Sequence, residues 1–459
     1  MIRTVSLVPF VLLTGYFLKK KIGLLERFCF PVPVIGGIVF SVLFLIAHLA
    51  GVTFTFDKTL SDVAMLIFFT SVGYQASFRA LKKGGKDIII LLFIVAFLVI
   101  MQNVVSVGLG SFFGIDPVLS LCTGSVSMIG GHGTAAAFGQ LFEESGVAGA
   151  SSVGLAAATF GMVCGSLIGC PLTERLIRKK GLSPEKSGRM NGTDDGSGEK
   201  GGKENEESRS GENRSEDNGS HKKPDDTKRP ASPDLLYAAG ALVLAAGIGT
   251  NVSSFLGLSG LTFPGYIGSM IAAMVLRNLA DVFAEKYDIP PVPEESLRQL
   301  GNVALSFFLA VALMTMELRQ LADLAVPLTV ILFVQAVLMA FFVVFVVFRI
   351  LGKDYDAAVM VSGVCGFGMG AIPNAMANMK SVTDKFGESS KAFLIIPLVG
   401  SLFIDLVNSV AISFFMSILR SIPVKRPVIG CDGSRPRQKS EIIHDRSLHS
   451  ACDRSLNRP

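Results

Sequence analysis

The chain has 459 residues, half of them hydrophobic and only 17% charged, with a mean hydropathy of +0.53. A soluble protein would carry closer to a quarter charged residues, so this balance excludes an ordinary water-soluble globule and points to bilayer spans. The net charge of +5 does not indicate a nucleic-acid partner, because the Lys and Arg sit in short clusters beside apolar runs, where membrane orientation accounts for them.

In chain order, apolar runs of spanning length fall at 4–18, 31–50, 62–78, 87–110 and 147–170. The first has the look of a signal peptide. It lacks a small-residue cleavage site and ends in Lys19, Lys20 and Lys21, which predicts a retained helix. Basic clusters follow the odd-numbered runs: Lys19 to Lys21 with Arg27, then Arg79, Lys82, Lys83 and Lys86, then Arg175, Arg178, Lys179 and Lys180. The stretch 51–61 carries only Asp57 and Lys58, and 111–117 has no base. Cations after odd spans predict an outside N-terminus and a cytoplasmic middle.

Residues 183–233 are rich in Gly, Ser, Asn and charge, with almost no apolar side chains, which predicts a disordered cytoplasmic linker. The sequons at Asn191 and Asn213 carry no meaning on that side. A second set of runs follows at 235–256, 262–280, 299–316, 324–350 and 391–419. Arg277 with Lys286, and Arg349 with Lys353, agree with the orientation; the basic tail over 420–459 falls outside in this count and disagrees with it. The expected organisation is a transmembrane repeat over 1–182, the linker over 183–233, a second repeat over 234–419 and the polar tail. Of the seven cysteines, Cys122, Cys164, Cys170 and Cys365 read as small apolar residues within spans, and Cys431 and Cys452 are the only pair in a polar setting.

Five spans per half is an odd number, so two related halves joined by a cytoplasmic linker enter the membrane from opposite sides, as in inverted-repeat transporters. The fold class expected is therefore an all-α polytopic membrane protein of two inverted repeats. Between the fourth and fifth runs of each half lies a glycine-dense segment, Gly124 to Ala137 and Gly363 to Ala375, too broken to span as one helix. Gly131 and Gly133 in the first match Gly368 and Gly370 in the second. Non-helical backbone at membrane depth survives only when buried in protein or lining a wet cavity, and glycine lets a ligand approach the main chain. The bland alternative is a pair of small-residue packing faces. A dinucleotide reading of Gly366, Gly368 and Ala371 fails, since no βαβ context surrounds it and Asp384 lies too close to serve as the ribose acid.

Polar residues within the apolar runs complete the candidate site. Asp405 lies in an apolar stretch with Asn408 one turn on, and an unpaired carboxylate there costs about 2.5–3.5 kcal/mol. A sodium ion or a substrate ammonium would suit it, and so would a structural partner on another helix. Gln102 and Asn103 join Asp405 and Asn408 as the candidate sodium set; hydrogen bonding to substrate or interhelical bonding is the other reading for both, as for Gln335. If a half-helix begins near Pro373, its amides, with Asn374 and Asn378, face an anion, and Thr134 holds the corresponding place after the first segment. His132 is either a proton relay or a hydrogen-bonded structural residue. No Arg or Lys lies in the middle of a span, so a bound cation would supply the charge an anionic substrate needs.

These residues resemble the bacterial glutamate:sodium symporters over nearly the whole membrane part of the chain. The likeness is carried by Gly130 to Ala136, Cys365 to Ala371 with Pro373, Ala375 to Met379, Met101 to Asn103, Lys353 to Val359 and Phe403 to Asn408. The resemblance implies a sodium-driven importer of glutamate in the bacterial inner membrane, with sodium as coupling ion and no cofactor. It also implies ten spans, two re-entrant loops meeting near the midplane, and a homodimer. Ala135, Phe138 and Asn374 are positions at which relatives vary, and the linker and tail are longer than the family pattern. A citrate- or dicarboxylate-type carrier is the neighbouring alternative. An intramembrane enzyme is not, because neither paired aspartates nor a Ser–His arrangement lies in the runs.

Overall fold

The computed structural model describes residues 2–52, 54, 56–79, 85–184, 231–257, 264–287, 292–316 and 324–421. Nearly all of the expected linker, with its two sequons, and all but two residues of the expected tail, with Cys431 and Cys452, lie outside the described residues. Within them every element is helical. In the first half these are α1 (Ile2–Lys21), α2 (Val32–Leu49), α3 (Thr59–Gln75), α4 (Gly85–Phe112), α5 (Pro117–Leu121), α6 (Ser125–Met128), α7 (Gly131–Glu144) and α8 (Ala150–Lys180), with a short helix, Gly23–Arg27, after α1. The second half contributes α9 (Ala231–Gly257), α10 (Gly265–Tyr287), α11 (Glu294–Met314), α12 (Ala325–Phe342), α13 (Tyr355–Gly368), α14 (Ile372–Phe386), α15 (Ser390–Leu402) and α16 (Ile404–Ser421). A π-helical turn over Val343–Val347 and a short helix, Phe348–Ile350, extend α12.

Among the described residues eight helices are long and apolar enough to cross a membrane, against the ten runs read from sequence. Arg3 at one end and three lysines at the other shorten the apolar stretch of α1, and α3 is only 17 residues and carries Ser61, Asp62, Thr70 and Ser71. The run at 391–419 also differs. It forms two helices broken at Phe403, with Pro397 and Gly400 just before the break. Large apolar side chains stand open along the spans, among them Phe93, Val326 and Phe333; water would penalise such a surface, and lipid does not. The protein is a multi-pass membrane protein.

Helices from the two halves of the sequence pack in alternation. One set joins α2 with α1 and α11, α3 with α10 and α11, and α9 with α10. A second set joins α8 with α7, α13 and α14, α13 with α14, and α16 with α4. Lipid tails are as apolar as leucine, so close contact rather than apolar burial holds these helices together. Small residues allow it. Side chains at Gly161 and Gly165 of α8 would strike the carbonyls of Met369 and Cys365 at 2.5 and 2.9 Å, and one at Gly169 would strike Asn378 Nδ2 at 2.6 Å.

Both glycine-dense segments are helices interrupted by a short break rather than extended loops. The first break is Ile129–Gly130, between α6 and α7, and Gly131 has φ +57°, a conformation that favours glycine. The second is Met369–Ala371, between α13 and α14. There Ala371 is extended and Pro373 sits in the first turn of α14, where its missing N–H costs nothing, matching the half-helix expected to begin near Pro373.

Candidate functional site

The two breaks touch. A Cβ on Gly131 would lie 2.8 Å from the carbonyl oxygen of Gly370, so only a bare backbone lets the tips meet. A side chain at Gly370 would crowd Asn374 Nδ2 at 2.8 Å and Gly366 O at 2.9 Å. Gly368 closes against Met339, while Gly133 faces the Phe68 ring at 3.2 Å. Thr134 is buried and folds back over Gly130. The first turn of α7 has no side-chain cap, which leaves the amides of Gly131, His132 and Gly133 at a positive helix end.

Around the tips runs a chain of buried amide side chains on four helices. Gln102 Nε2 donates to Gly368 O at 3.0 Å, and Gln335 Nε2 donates to Gln102 O at 2.8 Å. Asn374 Nδ2 donates to Met162 O at 3.1 Å, and Asn408 Nδ2 to Ser125 O at 3.1 Å. A backbone carbonyl only accepts, so in each case the NH2 faces it and the amide oxygen points the other way. Those four oxygens, Gln102 Oε1, Gln335 Oε1, Asn374 Oδ1 and Asn408 Oδ1, are buried with no partner among the described residues. Such orphans cost about 1–3 kcal/mol each unless a ligand or ion takes them up. Neutral oxygens of this kind are what a hard cation prefers.

Asn103 has the opposite polarity. Its oxygen accepts from both the amide and the hydroxyl of Ser125, each at 2.9 Å, and its Nδ2 is the atom left unpaired. Asn378 is spent entirely: Nδ2 donates to Gly165 O at 3.1 Å and Ser362 O at 3.3 Å, and Oδ1 accepts from Cys170 Sγ at 3.6 Å. It clamps α14 to α8 and α13. His132 Nε2 lies 3.0 Å from Thr159 Oγ1, the hydrogen-bonded structural arrangement.

Asp405 stands in the first turn of α16, where a helix N-terminus favours an anion. It is half-buried, near Tyr266, and makes no ion pair or hydrogen bond among the described residues. Asn408 is the only other member of the sequence-derived sodium set on that helix; Asn103 reaches it through Ser125, while Gln102 donates to Gly368 O instead. Sequence reading did not single out Ser125, which receives Asn408 and donates to Asn103, nor the α8 carbonyls of Met162 and Gly165. The four-residue spacing of Gly161, Gly165 and Gly169 was the available signal.

A polar cavity of about 330 Å³ lies along α7, lined by Lys58, Ser61, Gln140, Glu143 and Ser152 among others. Its volume suits a small solute. Gln140 is nine residues along α7 from Gly131, or about 14 Å at helical rise. Gln140 Nε2 donates to Asp62 Oδ1 at 2.8 Å, and Lys58 is the cation of this chamber.

Residues 1–388 match the family model described as sodium/glutamate symporter. The chain belongs to that family. It is 37% identical over 422 residues to the sodium/glutamate symporter of Haemophilus influenzae, covering 91% of this chain and 97% of that one. Against the sodium/glutamate symporter of Escherichia coli K12 it is 35% identical over 419 residues, with the same coverage. The family match takes in both glycine breaks and Asn374 and Asn378, and ends before Asp405 and Asn408. Family membership identifies a transporter and not an enzyme.

Proposed function

We propose that this protein imports L-glutamate together with sodium across the bacterial inner membrane, by alternating access around the meeting point of the two glycine breaks. The observation that carries the reading is two kinds of binding group around the touching tips: uncapped amides at the start of α7, and the unpartnered amide oxygens of Asn374 and Gln102 beside the second break, with that of Asn408, bonded to Ser125, ahead of the first. The carboxylate end of the substrate takes the donors, namely the amides near Gly131 and Gly133, with Thr134 and Asn103 Nδ2. Sodium takes oxygens from Gln102, Asn374 and Asn408, with Asp405 supplying the negative charge. Gly368 and Gly370 keep the backbone close, and Asn378 holds α14 in position.

The same reading has two inverted repeats, 1–182 and 234–419, each with a re-entrant segment, an outside N-terminus and a cytoplasmic linker, assembled as a homodimer. The support is the recurrence of a long helix, a broken glycine hairpin and a further long element in each half. The chamber at Lys58 and Gln140 is the approach for substrate on the α7 side. Glutamate carries net −1, and moving one charge through 100 mV is worth about 2.3 kcal/mol. One sodium makes transport electroneutral, and two or more let an inside-negative potential drive it.

The test is uptake of labelled glutamate into proteoliposomes under an imposed sodium gradient. Uptake should follow the gradient and fall when unlabelled L-glutamate competes. Sodium-independent uptake, or failure of glutamate to compete, would overturn the reading.

A further inference from the structure

The geometry points to a binding site for an anionic phospholipid on the face where α8 and the extended α12 end. A cavity of about 750 Å³ lies between them, with a rim of Arg175, Lys179, Lys180, Arg349 and Lys353 and a floor that includes Phe345 and Phe348. Basic residues at a span end need no such cavity to orient a protein, and their charges are ordinarily free to snorkel into water. Here two are laid against the aromatic floor. Lys180 Nζ lies 5.5 Å from the Phe348 ring centroid and the Arg349 guanidinium 5.4 Å from that of Phe345.

The rim is also left without counter-charge. None of its five cations forms an ion pair among the described residues, while Glu174 pairs with Lys385 and Asp354 accepts from the amide of Ala357 as a helix cap. The chain after Phe348 turns back so that Lys353 stays at the end of the helix. Gly352 has φ +115°, Lys353 takes the left-handed φ of 60°, and its amide donates to Phe348 O at 3.1 Å. On the other wall the π-turn over Val343–Val347 swells the helix and presents Phe345, half of whose surface is open to the lipid side. A phosphate headgroup satisfies the rim and acyl chains cover the floor. A free phosphate would use the rim and leave the apolar floor empty.

The chain has no tryptophan, so a single Phe345→Trp reports on this cavity alone. The full-length variant is reconstituted in bilayers containing brominated phosphatidylglycerol or brominated phosphatidylcholine at equal mole fraction, and quenching is compared. The anionic lipid should be favoured at least about 5-fold, since each cation near a headgroup contributes about 1 kcal/mol. Adding Lys179→Gln, Lys180→Gln and Arg349→Gln should abolish that preference while quenching by phosphatidylcholine stays as it was, which also reports correct insertion. A second reporter, Phe112→Trp, on an exposed ring at the end of α4, should have no preference. Equal quenching by both lipids, a preference that survives the triple substitution, or the same preference at Phe112 would each overturn the assignment.

Discussion

The two glycine breaks are made of similar residues, yet the helices that follow them begin differently. Neither has a side-chain cap, but α7 opens on Gly131 in a left-handed conformation with no proline, so its first turn offers the amides of Gly131, His132 and Gly133. α14 opens after extended Ala371 with Pro373 in its first turn, and the amides of Asn374 and Ala375 already donate to Ala371 O at 3.0 and 3.1 Å. What the second break offers is the Asn374 oxygen. Composition alone makes the two look interchangeable. Their hydrogen-bonding polarity suits one to an anion and the other to a cation, which is the basis of the proposed site for both ions.

The sharpest way to break that comparison is at the contact itself. Gly131→Ala combines a left-handed φ with a Cβ 2.8 Å from Gly370 O, so we expect about 2 kcal/mol or more of destabilisation and a loss of uptake beyond about tenfold. Gly133→Ala meets only the movable Phe68 ring and should lose far less; equal losses in uptake assays would remove the special role of the tip. Next is Asp405→Asn, expected to raise the sodium concentration for half-maximal uptake by about tenfold or more. An unchanged sodium dependence would take Asp405 out of the ion site. Asn374→Ala removes the bond to the Met162 carbonyl, worth about 0.5–1.5 kcal/mol, and should weaken sodium dependence more than apparent glutamate affinity. If glutamate affinity suffered more, the cation and anion roles of the two breaks would have to be exchanged.

The smallest effect lies outside the membrane. The Asp57 carboxyl is held at about 2 by the Thr59 hydroxyl and amide, below its ordinary 3.8. A lowered folded value gives stability that is present above 3.8 and lost as pH falls toward about 2. The difference in melting temperature between the wild type and Asp57→Asn should therefore be small at neutral pH and vanish across that acid window. Its persistence at low pH would mean that Asp57 acts through neutral contacts.

Much of the framework was legible because the relevant signals are local. Hydropathy marked the long helices, and Pro373 marked where α14 starts. The run at 391–419 was misread as continuous although Pro397 and Gly400 lay within it, since an isolated proline kinks some membrane helices and leaves others whole. The polar site was only half legible. Gln102, Asn103, Asn374, Asn378 and Asn408 could be picked out by the cost of polar groups in apolar runs, but not sorted. Asn378 turned out to be saturated and Asn103 to be a donor, because each is decided by a partner far away in sequence.

The sequence by itself determined that this is a helical membrane protein and that its two glycine-dense segments must break, because spacing, hydropathy and the backbone limits of glycine and proline act over a few residues. Only the tertiary structure decided which carbonyl each buried amide would bond, and so which atom it left free for an ion. Those bonds join residues up to 283 positions apart, and no local preference encodes a pairing that exists only after the helices have packed.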